Sequence, residues 1–127
     1  MEEGKTILLV DDDSRNVFAL SKILKERGME VIKAENGKDA LEMLSTHPDI
    51  ALVLMDIMMP GYNGFKAMKK IIAEFPDARI AVVTNYNDKQ YRALALQIGA
   101  KAYVLKEDLI ELRDICEINK NMDINRV

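Results

Sequence analysis

The run Leu52, Val53, Leu54, Met55 carries no charge and stops abruptly at Asp56. Such a run reads as a strand that is apolar on both faces, and a strand of that kind belongs inside a parallel sheet covered by helices on either side. Pro60, Gly61, Asn63 and Gly64 then supply turn chemistry before apolar residues resume at Phe65, the proline fixing φ and the glycines permitting conformations that side chains resist. In an open parallel α/β sheet the carboxyl ends of the strands border the crevice where ligands bind. A carboxylate at that end faces a site rather than a core. Most aspartates that follow a strand only open a turn, so Asp56 gains meaning only if other strand ends converge on it.

The rest of the chain supplies those ends. Thr6 to Val10 is a strand that runs into Asp11, Asp12 and Asp13. Ser14 is the expected cap of a helix with Val17, Phe18, Leu20, Ile23 and Leu24 on one side, stopped by Gly28. Glu30 to Ala34 makes a short strand, and Asn36 with Gly37 turns into a helix burying Ala40, Leu41 and Leu44 before Pro48. Beyond the Asp56 loop, Phe65, Met68, Ile71, Ile72 and Phe75 recur at helical spacing up to Pro76. Ile80 to Thr84 is the fourth strand. Asn87 or Asp88 caps a helix expected to bury Tyr91, Leu94, Ala95 and Ile98, and Gly99 ends it. Ala102 to Leu105 is the fifth strand and leads to Lys106, while Leu109, Leu112, Ile115 and Cys116 mark a fifth helix. Strict alternation with short connections predicts a doubly wound α/β fold with one parallel five-stranded sheet and right-handed crossovers. A single domain is expected over 1–127, with an ordered core over about 5–118 and a tail over 119–127 that loses periodicity.

With 127 residues, 49% hydrophobic and 31% charged, the chain suffices for one continuous core. Its net charge of −3 provides no overall basic field, so direct nucleic-acid binding is not expected, and Lys66, Lys69 and Lys70 read as the wet face of a helix. Cys116 has no second cysteine to pair with, His47 precedes Pro48 in a turn and is given no chemistry, and the eight methionines read as packing residues. No charged-then-apolar leader opens the sequence, and no apolar run approaches the roughly 20 residues of a membrane span. A cytoplasmic location without membrane contact is the expectation.

In a parallel sheet the successive strand ends read Asp11 and Asp12, then Asp56, then Thr84, then Lys106. Each alone is more often structural. Together, three carboxylates in one crevice call for a compensating cation, and an all-oxygen site suits Mg²⁺ or Mn²⁺. A lysine and a threonine at neighbouring ends offer a point charge and a donor for phosphoryl oxygens. That combination describes phosphoryl transfer.

VDDD at the first strand end, MDIMMPGYNG, VVT and GAKAYVLK resemble, in type and order, the receiver domain of two-component response regulators, of the chemotaxis-regulator kind, over nearly the whole chain. The resemblance implies a flavodoxin-like (βα)5 fold with strand order 2-1-3-4-5, which the spacing by itself does not supply. It implies that Asp56 accepts a phosphoryl group from a histidine kinase or histidine phosphotransfer protein. It also implies metal ligation by Asp12 directly, by Asp11 through water, by Asp56 and by the Met58 carbonyl. Thr84 and Lys106 would contact phosphoryl oxygens, and Thr84 with Tyr103, moving inward, would switch the face of the fourth helix, fifth strand and fifth helix for partner binding or a phosphorylation-dependent homodimer. The chain departs from the family in having Asn85 where a small residue is usual and Glu107 where proline is common, which favours a trans bond there. Met58 and Tyr86 stand where water-orienting groups would sit. The first half is more like receivers of hybrid kinases and the second more like those joined to helix-turn-helix domains. The alternatives are a small Mg²⁺-dependent phosphohydrolase using Asp11 and Asp13, since D-x-D after a first strand resembles the haloacid dehalogenase pattern, and a flavin or dinucleotide module. The first has little chain left for a cap. The second lacks a glycine in the first loop.

Overall fold

A computed structural model describes residues 5–59, 62–106 and 108. The expected fifth helix from Leu109, the tail from Asn119 and the bond at Glu107 lie outside the described residues. Strand β1, Thr6–Val10, is buried at every residue and lies between two parallel neighbours, β2 (Glu30–Ala34) and β3 (Ile50–Met55). Two further strands follow Asp56 at once: β4 (Met58–Met59) and β5 (Tyr62–Asn63) form a small antiparallel ribbon where the turn residues predict only a loop. β6 (Ile80–Thr84) pairs in parallel with β3, and β7 (Ala102–Leu105) with β6. The main sheet runs β2-β1-β3-β6-β7, which is 2-1-3-4-5 among its own five strands. The strand order reverses between β1 and β3, and the crevice lies at their carboxyl ends.

Period-two alternation divides the strand residues between two cores. Ile7, Leu9, Leu52, Leu54, Ala81 and Val83 face Leu20 and Leu24 of α1 (Ser14–Glu26). Leu8, Val10, Val53, Met55, Ile80 and Val82 face the opposite way, onto α2 (Gly37–Thr46), α3 (Gly64–Glu74) and α4 (Lys89–Ile98) through Ala40, Leu44, Met68, Ile71 and Ala95. Each large aliphatic side chain buried this way contributes about 1.5–3 kcal/mol, so the central strands are anchored from both sides and their ends are fixed in space.

Three details differ from the sequence expectation. Asp13, not Ser14, caps α1: its backbone is extended and its carboxylate accepts the Arg15 N–H at 3.0 Å, while Ser14 is already helical. Phe18 is 72% exposed, because α1 meets the sheet along the narrow stripe of Val17, Leu20 and Leu24, and the residue after Val17 turns about 100° away from it. Leu94 is likewise exposed beside the buried Ala95. Asn36, Asn63 and Asp88 cap α2, α3 and α4 through side-chain oxygens. At the start of α3, Gly64 donates its N–H to the Ile57 carbonyl at 3.2 Å, and a Cβ there would lie 2.3 Å from the Ile57 Cα. The loop after β3 is thereby pressed directly onto a helix.

Candidate functional site

Register alone sets two carboxylates side by side. Val10 pairs with Ala34 on one side and Met55 on the other. The Asp11 N–H reaches the Ala34 carbonyl at 3.1 Å, and the Asp56 N–H reaches the Val10 carbonyl at 2.9 Å. Thr84, opposite Leu105 in β6 and β7, is fully buried. One residue beyond Leu105, Lys106 turns its ammonium into the crevice, with Nζ 2.8 Å from Asp56 Oδ2 and 2.9 Å from Asp11 Oδ2. Asp56 and Lys106 are both buried. Two carboxylates therefore share one cation out of water.

Burial is the larger influence on Asp11. It outweighs the hydrogen bond from the Asp13 N–H and the charge of Lys106, and moves the carboxyl above its usual range. Burial also opposes the charged form of Lys106, but its bonds to Asp56 and Asp11 win, and the ammonium titrates above its ordinary value. The raised Asp11 value carries a definite sign. Its contribution to stability is present below pH 3.8 and is lost as pH rises through the folded-state value. Asp11→Asn is expected to melt a few degrees above the wild type at pH 7, with the gap closed once pH is below 3.8. Thermal melts at both pH values check this, and a lower melting temperature at pH 7 would contradict it.

Asp12 is exposed beside this pair. Among the described residues no group of three His, Cys, Asp or Glu side chains is assembled as a metal cluster. The donor chemistry nonetheless suits a hard divalent ion, being oxygen throughout, and Asp11 and Asp56 bring two carboxylates together at Lys106. A cavity of about 10 Å³ lies between α1 and the pair, lined by Asn16, Val17 and Leu20 as well as Asp11, Asp56 and Lys106. That volume is roughly one water. Asp13 lies outside this convergence. It serves the α1 cap, where the Arg15 N–H holds its carboxyl below the usual range.

On the other side of the crevice, Thr84 and Tyr103 are linked through one backbone unit. The Tyr86 N–H donates to Thr84 Oγ1 at 3.4 Å, and the Tyr103 hydroxyl donates to the Tyr86 carbonyl at 2.6 Å. Tyr103 is buried. Burial and the nearby Asp88 carboxylate push its phenol up. The Arg92 guanidinium lies over its ring, 4.9 Å from the centroid. Tyr86 packs edge-on against Tyr91, and Tyr91 against Phe65 of α3. Neither Arg92 nor the Tyr86 carbonyl is identified in the sequence. The signal for Arg92 is its spacing: it falls one turn after Asp88, on the helix that follows β6. The carbonyl leaves no sequence signal. Asn85 is exposed.

Comparison with known proteins gives this site a class. Residues 7–117 match the response regulator receiver domain. The chain is 37% identical over 105 residues to the chemotaxis protein CheY of Thermotoga maritima, covering 81% of this chain and 86% of that protein. It is 36% identical over 103 residues to PilH of Pseudomonas aeruginosa, covering 79% and 84%. A CheY-like receiver domain structure from Methanospirillum hungatei JF-1 superposes with a TM-score of 0.80 at 28% identity, covering 97% of this chain and 99% of that one. The chain belongs to the response regulator receiver domain family, with the flavodoxin-like fold. It spans 28% of a Thermotoga maritima cyclic di-GMP phosphodiesterase and 42% of the Bacillus subtilis regulatory protein YhcZ, which are 39% and 45% identical to it over 107 and 93 residues.

Proposed function

We propose that the chain is a phosphoacceptor switch of a two-component system, with Asp56 as the acceptor. The observation that carries this reading is the buried Asp56 carboxylate held at 2.8 Å by a lysine that also grips Asp11. A carboxylate oxygen of Asp56 attacks phosphorus, the bond from phosphorus to the donor nitrogen or oxygen breaks, and its electron pair leaves with the donor. The transferred group is then an acyl phosphate. Lys106 Nζ, already at an Asp56 carboxylate oxygen, steadies the charge on the phosphoryl oxygens, and the Thr84 hydroxyl, which accepts the Tyr86 N–H, donates its own proton to a phosphoryl oxygen. Asp11, Asp12, Asp56 and the Met58 carbonyl would hold Mg²⁺, or Mn²⁺ in its place. The ion supplies charge neutralisation between acceptor and incoming group. The donor is a histidine kinase or histidine phosphotransfer protein. The responding surface is α4, β7 and the chain that follows, through which a partner or a second phosphorylated copy docks. No helix among the described residues is long and apolar enough to cross a membrane, and a cytoplasmic setting fits this role. The phosphohydrolase reading is disfavoured by Asp13, whose carboxylate serves the helix cap.

Incubation with acetyl phosphate tests the reading by intact mass. One phosphoryl group is expected in the presence of Mg²⁺, and none in excess chelator or in Asp56→Asn. Equal labelling of Asp56→Asn would overturn the assignment. The lifetime of the label is expected to be long, because hydrolysis needs a water held in line by an amide or acid, and Met58 and Tyr86 stand in the corresponding positions. Tyr86 is tied to Thr84 by its N–H and to Tyr91 by its ring. Decay after donor removal should accelerate when Met58→Asn and Tyr86→Glu are combined. A wild-type half-life of seconds, or an unchanged double variant, would contradict this.

A further inference from the structure

Lys66 and Lys70 of α3 are exposed, as a helix's wet face should be, and they also border a groove. A groove of about 300 Å³ runs between the first turns of α2 and α3, with Lys38 on one rim, Lys66 and Lys70 on the other, and Leu41 and Ala67 between them. The three lysines are exposed, while Leu41 and Ala67 are half-buried and pack on the core beneath. Lys66 and Lys70 are one turn apart and so lie on the same side of α3. No acidic side chain lines the groove, and none of its lysines is ion-paired among the described residues. In a chain of net charge −3 this is a local concentration of the opposite sign. A second basic groove, between α1 and β2, carries Lys22, Lys25 and Lys33 but also Glu26, so its field is mixed.

We propose that the α2–α3 groove docks an acidic, amphipathic helical segment of a partner protein. Carboxylates one turn apart on that segment match Lys66 and Lys70 across the rim, and its aliphatic residues cover Leu41 and Ala67. The floor separates this occupant from a plain polyanion, which has nothing to place on apolar side chains. Asn63, which caps α3 and ends the ribbon after Asp56, also lines the groove. Its site is otherwise separate from the phosphoacceptor, and docking does not require Asp56.

The test is fluorescence anisotropy of the whole chain with a labelled peptide of about 14 residues built from Glu-Glu-Leu-Leu repeats, a length that gives about four turns of helix. Binding is expected to weaken by about tenfold or more in the triple variant Lys38→Glu, Lys66→Glu, Lys70→Glu. It should survive in Asp56→Asn and in the control Lys22→Glu, Lys25→Glu, Lys33→Glu, and fall when the peptide's leucines become serine. Binding by the triple variant equal to the wild type would overturn the proposal. So would equal binding of the serine peptide, or of single-stranded DNA of the same length, since either would reduce the groove to a non-specific positive field. All the lysine substitutions are at exposed positions, and unchanged circular-dichroism melts show that each of these variants remains folded.

Discussion

Lys106→Met is expected to lose about 3–5 kcal/mol of stability at pH 7, because it leaves buried charge without its partner. In the wild type, Asp11 and Asp56 both contact the Lys106 ammonium within 2.9 Å. Without it the two carboxylates repel each other in a site that burial has already made hostile to charge, as the raised Asp11 value records. Protonation relieves that repulsion, so the deficit should shrink as pH falls through the raised carboxyl range. The alkaline side gives the opposite signature. Lys106 titrates above 10.5 in the folded chain, so its contribution is complete below that value and is lost as pH rises through the folded-state value. Wild type should therefore lose stability there more steeply than the methionine variant. Urea denaturation across the pH range checks both arms. A deficit at pH 7 below about 1 kcal/mol, the usual scale of an exposed pair, would contradict this account.

The second large effect is expected at Gly64. A methyl group there would sit 2.3 Å from the Ile57 Cα and 2.7 Å from its carbonyl oxygen, and the obstacle is backbone, which no rotamer change clears. Gly64→Ala must displace the segment immediately after Asp56 or unfold it, at a cost of about 3 kcal/mol or more. Because Ile57 adjoins the acceptor, phosphorylation by acetyl phosphate should slow even at temperatures where the variant is folded. Denaturation midpoints and labelling rates measured on one preparation decide the matter. A variant with wild-type stability and rate would show that the approach of α3 to Ile57 is not what holds the loop.

The parts of this fold that the sequence discloses are those governed by short-range regularities. Uncharged runs such as Leu52–Met55 are apolar at every position because both sheet faces are covered, and the two cores seen here are the two parities of those runs. The polar strand ends are equally visible, since an Asp, Thr or Lys closing such a run breaks its apolar pattern. What escapes is geometry that depends on how far an element rolls or how a loop folds back. Phe18 carries the same hydrophobic signal as Val17, yet lies outside the α1 contact stripe. The ribbon of β4 and β5 is only two residues wide on each side, too short for any alternation to show. Lys106 is recognisable as a site residue, but its grip on Asp56 and Asp11 depends on strand order two and three positions across the sheet. The Tyr103 bond to the Tyr86 carbonyl involves main chain, whose partners no side-chain pattern records.

The central claim is that Asp56 carries the phosphoryl group, and borohydride trapping reads it at the acceptor atom. Reduction of an aspartyl phosphate releases phosphate and converts the side chain to homoserine, a mark that survives digestion. After treatment with acetyl phosphate and Mg²⁺, peptide sequencing by mass spectrometry should find homoserine at position 56 and aspartate retained at 11, 12 and 13. Homoserine at position 11 or 13 with Asp56 unmodified would contradict the account and return the chain to the phosphohydrolase reading.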